Sequence, residues 1–347
     1  MPSGGSHFHA ATLDGSIYFA GISDGASYGS SVIAFTPEPY VASASRCPVL
    51  RSASKARMPV ARSNMTIGEI DGIIYVAGGF ENASGYLAIN EAYDPAADKW
   101  TEKAPMSRAR ETRGTNTAVV DGKLYIIGGN ARGTCSNLTE VYDPGTDRWA
   151  TRSSMPTPRC HLAVVALEGQ IYALGGTNTA GSVEYDTVEV YDPATDSWTI
   201  TSPMPTGRQD LGAASLNGVL YALGGGNPKL SPGDELNVVE AYDPVSKTWS
   251  SRSPMRNGGV AMAVGVLEGK LVAAGGLRNQ LSSAAVEMYD PEADAWSTLP
   301  NIPTSRAFSS AITMKNTLYI LGGNGEPMGT APLDTVDGFK LLPCVQN

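Results

Sequence analysis

Five arginines recur at equivalent places along this 347-residue chain: Arg62, Arg110, Arg159, Arg208 and Arg306. Three of them close a Met-Pro-x-x-Arg motif: Met58-Pro59-Val60-Ala61-Arg62, Met155-Pro156-Thr157-Pro158-Arg159 and Met204-Pro205-Thr206-Gly207-Arg208. A guanidinium presents a fixed fork of donors that matches a carboxylate with two parallel bonds, so a series of arginines suggests anion recognition. The same residue could instead serve the fold by bonding carbonyl groups of neighbouring loops, and spacing leaves both readings open. The residues beside the arginines change from repeat to repeat: Ser63-Asn64, Glu111-Thr112-Arg113, Cys160-His161, Gln209-Asp210 and Ala307-Phe308. One connection, Asn257-Gly258-Gly259, has no arginine, and Arg113 stands outside the frame.

Arg110, Glu111, Arg113, His161, Arg208 and Asp210 would together suit a pocket for a small anionic molecule, with Glu111, His161 or Asp210 as acid or base. Cys160-His161 looks like a nucleophile beside its base, but adjacent residues on a strand point to opposite faces and make a poor dyad. His7 and His9, two apart, could face one way as a weak metal pair; a chance pair at a chain terminus is the plainer reading. No phosphate-binding loop occurs, and neither a metal nor a cofactor is expected.

These residues are carried by a repeat. A double glycine after an apolar run appears at Gly78-Gly79, Gly128-Gly129, Gly175-Gly176, Gly224-Gly225, Gly275-Gly276 and Gly322-Gly323, at intervals of 50, 47, 49, 51 and 47 residues. Each pair closes a short strand signal such as Ile74-Tyr75-Val76-Ala77. Most of these strands follow a tight-turn dipeptide: Asp71-Gly72, Asp121-Gly122, Glu168-Gly169 or Asn217-Gly218. After a variable loop comes Tyr-Asp-Pro, and all five tryptophans lie seven residues beyond such a tyrosine: Tyr93/Trp100, Tyr142/Trp149, Tyr191/Trp198, Tyr242/Trp249 and Tyr289/Trp296. Asp-Pro makes a turn, since Asp bonds the backbone ahead and Pro fixes φ. Four strand-length segments per period, with no helical periodicity, predict an all-β propeller built of four-stranded blades.

Double glycine, tyrosine, spaced tryptophan and arginine, in that order over nearly the whole chain, resemble the kelch repeat. The resemblance implies one kelch β-propeller domain over residues 1–347. Its parts are a degenerate first blade at 7–57, complete blades at about 60–305 and a last blade at 306–347. The degenerate unit matches at Asp14-Gly15 and Phe35-Thr36-Pro37 and lacks the tryptophan. Seven blades are expected, with the seventh edge filled by residues 1–6 or by Leu341–Gln346; a ring of six with one partial unit is the alternative. Kelch propellers bind through the face formed by the loops after Gly-Gly and the connections into each first strand, around a central channel. In those that grip short acidic peptides, arginines at or two residues beyond the repeat position line the pocket. The resemblance therefore implies Arg110, Arg113, Arg159 and Arg208 as principal contacts, with Arg62, Asn64, His161 and Arg306 completing the set. Other kelch propellers are isomerases or lyases that work without a cofactor. The kelch adaptors carry an oligomerisation or F-box domain upstream, and nothing of that kind fits before residue 7.

Composition agrees with a folded ring. Apolar residues make up 42% of the chain and no run is long enough to span a membrane. Thirty-four acids against 25 bases give a net charge of -9, which argues against nucleic acid as a partner. No basic segment followed by an apolar run opens the sequence, so a cytoplasmic location is expected. Cys47, Cys135, Cys160 and Cys344 are scattered and read as reduced thiols. The expected function is protein or peptide binding, with an acidic or polar partner segment held at a basic mouth on an acidic body, in the manner of a scaffold or substrate adaptor. The alternative is a cofactor-independent enzyme acting on a small anionic metabolite.

Overall fold

The computed structural model describes residues 9–13, 16–20, 32–35, 49–230, 235–326 and 332–342. Residues 1–6, His7, Cys47, Cys344 and the side chain of His9 lie outside what is described. The chain divides into two compact units, Met1–Cys47 and Pro48–Asn347. The first contains an antiparallel sheet of His9–Leu13, Ser16–Ala20 and Val32–Phe35, in that order. These strands are the hairpin and third strand read in the degenerate repeat.

The second unit is a ring of six blades. Blade 1 consists of Thr66–Ile70, Ile73–Ala77, Asn90–Asp94 and Lys99–Lys103. Blade 2 consists of Asn116–Val120, Lys123–Ile127, Thr139–Asp143 and Arg148–Arg152. Blade 3 begins with Ala163–Leu167, blade 4 with Gly212–Leu216, blade 5 with Ala263–Leu267 and blade 6 with Ser310–Met314. Every first hairpin turns in two residues. In blade 1, Ile70 pairs with Ile73, and Asp71 and Gly72 both take positive φ, 52° and 82°. Two positive values define the turn whose twist matches the flanking strands, and the Asp-Gly dipeptides foretold it.

Hydrogen bonds tie each blade to the next. The N–H of the second glycine in each pair donates to a carbonyl of the following connection, as Gly79 does to Arg110 (3.0 Å) and Gly176 to Arg208 (2.9 Å). A Cβ on Gly78 would lie 2.7 Å from the Arg110 carbonyl oxygen, and one on Gly79 2.7 Å from that of Ser63, so only glycine allows this approach. Gly323 of blade 6 donates to Arg62, which leads into blade 1, at 3.1 Å, and the Ser310 hydroxyl donates to the Met65 carbonyl at 2.8 Å. The sixth blade therefore abuts the first, and the expected seven-bladed ring is corrected to six.

Blade 6 obtains its outer strand from neither expected source. Val49–Ser54 pairs with Val336–Leu342, from Val49 opposite Leu342 to Ser54 opposite Asp337. The degenerate repeat is thus divided: its hairpin belongs to the first unit and its tail closes the ring. The serine- and alanine-rich composition of that tail hid the strand, because an outer strand half open to water needs little apolar alternation.

The aromatic pairs bind blades through their polar ends. Trp149 donates its indole N–H to the Ala104 carbonyl (2.7 Å), and the Tyr142 hydroxyl donates to Asp147 (2.6 Å). Asp147 in turn accepts the Ala104 N–H at 2.9 Å. The same arrangement recurs with Asp98, Asp196 and Asp294; at the fourth blade Lys247 takes the aspartate's place, and Tyr242 bonds the Thr201 hydroxyl instead.

Candidate binding site at the channel mouth

The repeat arginines serve the fold. Arg62, Arg110, Arg159, Arg208 and Arg306 are all buried to within 1%. Each pairs with an acid on the third strand of its own blade. Arg62 meets Glu91, Arg159 meets Glu189 and Arg306 meets Asp337, each at 2.7 Å, and Arg110–Glu140 and Arg208–Glu240 match them. Arg159 also donates to the carbonyls of Gly175 (2.7 Å), Thr187 (3.0 Å) and Ala173 (3.3 Å). Burial lowers the guanidinium pKa values and the paired acid opposes that shift. All five guanidinium groups are buried against acids and carbonyls inside the blades, so the expectation that they line a pocket is corrected.

The mouth is formed instead two residues further on. Asn64, Thr112, His161, Asp210, Ala261 and Phe308 occupy equivalent positions in the six blades. Backbone bonds link most of them head to tail: Thr112 to Asn64 (2.8 Å), Asn64 to Phe308 (3.0 Å), Phe308 to Ala261 (2.9 Å), Ala261 to Asp210 (2.8 Å) and Asp210 to His161 (2.9 Å). All but Thr112 adopt positive φ, between 50° and 58°. Asn, Asp and His tolerate that region, whereas Phe308 is held there by the ring.

Thr112 breaks the series because two residues are inserted after it. Arg110 precedes its hairpin residue Asp121 by 11 positions, while Arg62, Arg159, Arg208 and Arg306 precede theirs by 9. The extra length carries Gly114 and Thr115 across the channel. Thr115 donates its N–H to the Leu211 carbonyl of blade 4 (3.2 Å), and its hydroxyl accepts the Ala213 N–H (3.1 Å). Gly114, at φ 81°, lies so near that a Cβ would come within 2.8 Å of the Leu162 carbonyl oxygen. The plug also draws Asn116 and Thr117 into parallel pairing with Val164 and Val165, which joins blades 2 and 3 into one eight-stranded sheet.

Arg113 crowns the plug. Its guanidinium lies 4.9 Å from the centre of the Phe308 ring, 3.7 Å from Glu111 and 3.9 Å from Asp210. His161 Nδ1 stands 3.2 Å from Gln209 Oε1 and 3.7 Å from Asp210. Glu111 is buried and accepts from the side-chain amides of Asn64 (2.7 Å) and Asn130 (3.3 Å). The structure therefore gathers Arg113, His161, Glu111, Asp210 and Asn64, as the sequence suggested, and adds Phe308 and Gln209. Arg113 is shared between two carboxylates, so among the described residues the mouth is not the basic one expected. Beside Arg113 the cavity measures about 10 Å³, room for a water and no metabolite. Below the plug a well of about 200 Å³ is lined by Thr117, Ala166, Ser215, Val266 and Thr313, none of them an acid or base.

Cys135 and Cys160 form a disulfide, correcting the reduced-thiol expectation for this pair and removing Cys160 as a nucleophile. The loop after Gly128-Gly129 and the connection into blade 3 bring them together from 25 residues apart. Among the described residues no three metal-ligating side chains cluster, and no helix is long and apolar enough to cross a membrane.

Comparison with known proteins finds kelch repeats and β-propellers. A family model for the KLHDC2/KLHL20/DRC7 Kelch-repeats domain matches residues 9–225, and one for the Attractin/LZTR1 beta-propeller matches residues 124–332. Beta-scruin of Limulus polyphemus is 29% identical over 82% of this chain and 28% of its own length. Kelch-like protein 21 of Mus musculus is 30% identical over 78% of this chain and 42% of its own length. The chain thus spans less than half of either relative. The solved structure of YjhT shares the fold, with a TM-score of 0.67 at 21% identity over 84% of this chain and 99% of that one.

Proposed function

The chain belongs to the kelch-repeat β-propeller family, and on that premise we propose that it is a protein-binding propeller whose partner lies across the loop face, over the plugged mouth. The observation that carries this reading is the two-residue insertion. It closes the channel where a small molecule would enter and sets Arg113 on the surface instead. Arg113 faces the Phe308 ring and the Asp210 carboxylate, and Asp210 leads on to the His161 imidazole, which meets the Gln209 amide. Loops displayed on a rigid scaffold are where recognition concentrates, and arginine with aromatic neighbours suits a protein interface. Because Arg113 already faces two carboxylates, the mouth fits a polar segment that donates as well as accepts.

Affinity capture with the wild-type chain, Arg113→Ala/Phe308→Ala and the opposite-face control Asp192→Ala/Val245→Ala, read by quantitative mass spectrometry, tests the proposal. The mouth variant is expected to lose at least tenfold of the specifically recovered partner while the control keeps it. Equal recovery by all three overturns the reading.

A further inference from the structure

At the rim of the same face, blade 2 carries a groove of about 490 Å³ whose lining includes Ser107, Arg108, Ala131, Arg132, Thr134 and Cys135. This is the size range of ligand sites, ~300–1,000 Å³. Arg108 and Arg132 are exposed, and neither guanidinium has a hydrogen bond or ion pair among the described residues. On a chain of net charge -9, two unpaired arginines in one groove are a local reversal of sign.

Each arginine is there because blade 2 departs from its siblings. In the connections of other blades, the residue at the place of Arg108 binds the buried third-strand glutamate: Thr157 bonds Glu189 (2.8 Å), Thr206 bonds Glu240 (2.6 Å) and Asn257 bonds Glu287 (2.9 Å). In blade 2 this task moves back one residue. Ser107 bonds Glu140 through both its N–H (3.1 Å) and its hydroxyl. Arg108 is thereby released from the core and turned to the groove. Arg132 occupies the first turn position of the hairpin Asn130–Ala131/Thr134–Cys135, at φ 56°, with Gly133 following at φ 83°. That position favours Asn, Asp or Gly, and blade 5 places Asn279 in its corresponding turn. A long cation is held there at a conformational cost. The disulfide from Cys135 to Cys160, with Cys135 Sγ also against the Thr177 carbonyl, fixes the hairpin's base to blade 3.

We propose that this groove is a second binding site, which takes an anionic peptide segment, its carboxylate or phosphoryl oxygens held by Arg108 and Arg132 in paired bonds. The proposal rests on the reading of this face as protein-binding but not on the mouth, since none of the mouth side chains lines the groove.

Fluorescence polarisation with three labelled hexapeptides decides it: one rich in Asp and Glu, one with a single phosphoserine among glycines and serines, and one rich in Lys. The full chain is expected to bind at least one anionic peptide saturably and the Lys peptide not at all. Arg108→Glu/Arg132→Glu is expected to weaken that binding at least tenfold. Arg148→Glu/Arg152→Glu, with the same charge change on the outer strand of blade 2, should stay within twofold. Arg113→Ala/Phe308→Ala tells the two sites apart: loss of binding in this variant in place of the groove variant assigns the peptide to the mouth and overturns the proposal, whereas the mouth reading itself stands or falls on the affinity capture. The proposal is overturned if neither anionic peptide saturates, or if both charge-reversed variants weaken binding equally.

Discussion

Arg159 shows how one side chain resolves an ambiguity that spacing cannot. Its guanidinium spends its donors on Glu189 and three carbonyls inside the blade. Removing one partner of such a pair leaves a buried charge uncompensated, which costs about 3–5 kcal/mol, whereas removing both is far milder. Arg159→Met is therefore expected to lose that much stability in urea denaturation, and Arg159→Met/Glu189→Met to regain most of it. A double variant as unstable as the single one rules out the lost charge compensation as the cause. The sequence held both readings of the repeat arginines because burial is not written in spacing. Arg113 was legible as an outlier, since its two-residue offset is visible in the chain; that the offset would plug the channel depended on Leu211 and Ala213, nearly a hundred residues away.

At the scale of the element, neighbouring blades are joined by tyrosine, aspartate and the backbone of the preceding connection. The hydroxyls of Tyr93, Tyr142, Tyr191 and Tyr289, aided by backbone N–H groups, hold the carboxyls of Asp98, Asp147, Asp196 and Asp294 below their ordinary pKa. A carboxyl depressed in the folded state stabilises it above the unfolded value of ~3.9 and loses that contribution as pH falls below it. Thermal melts between pH 7 and pH 2.5 are expected to show stability falling steeply below about pH 4. Asp147→Asn should give a lower plateau at pH 7 and a shallower acid limb; an acid limb parallel to the wild type shows that the latch does not titrate. The hairpins were legible because Asp-Gly and Glu-Gly demand one turn geometry. The outer strand at 49–54 was not, because its partner lies at the far end of the chain.

For the whole molecule, closure depends on that strand. A chain beginning at Pro48 is expected to unfold in one cooperative transition, monomeric by size-exclusion chromatography. One beginning at Lys55 uncovers the edge of Val336–Leu342 and is expected to melt lower and self-associate. Equal melting temperatures and elution for the two would show that the ring does not need the strand.

The same closure sets a timetable. Ser54 and Asp337, whose side chains bond across the seam, are 283 residues apart. At a synthesis rate of ~5–20 residues per second, the closing strand leaves the ribosome on the order of 15–60 s before its partner exists. For that interval it is a short segment, half of it Arg and Ser, with nothing to pair with. The composition that concealed it from pattern reading is also one that can wait in water without aggregating.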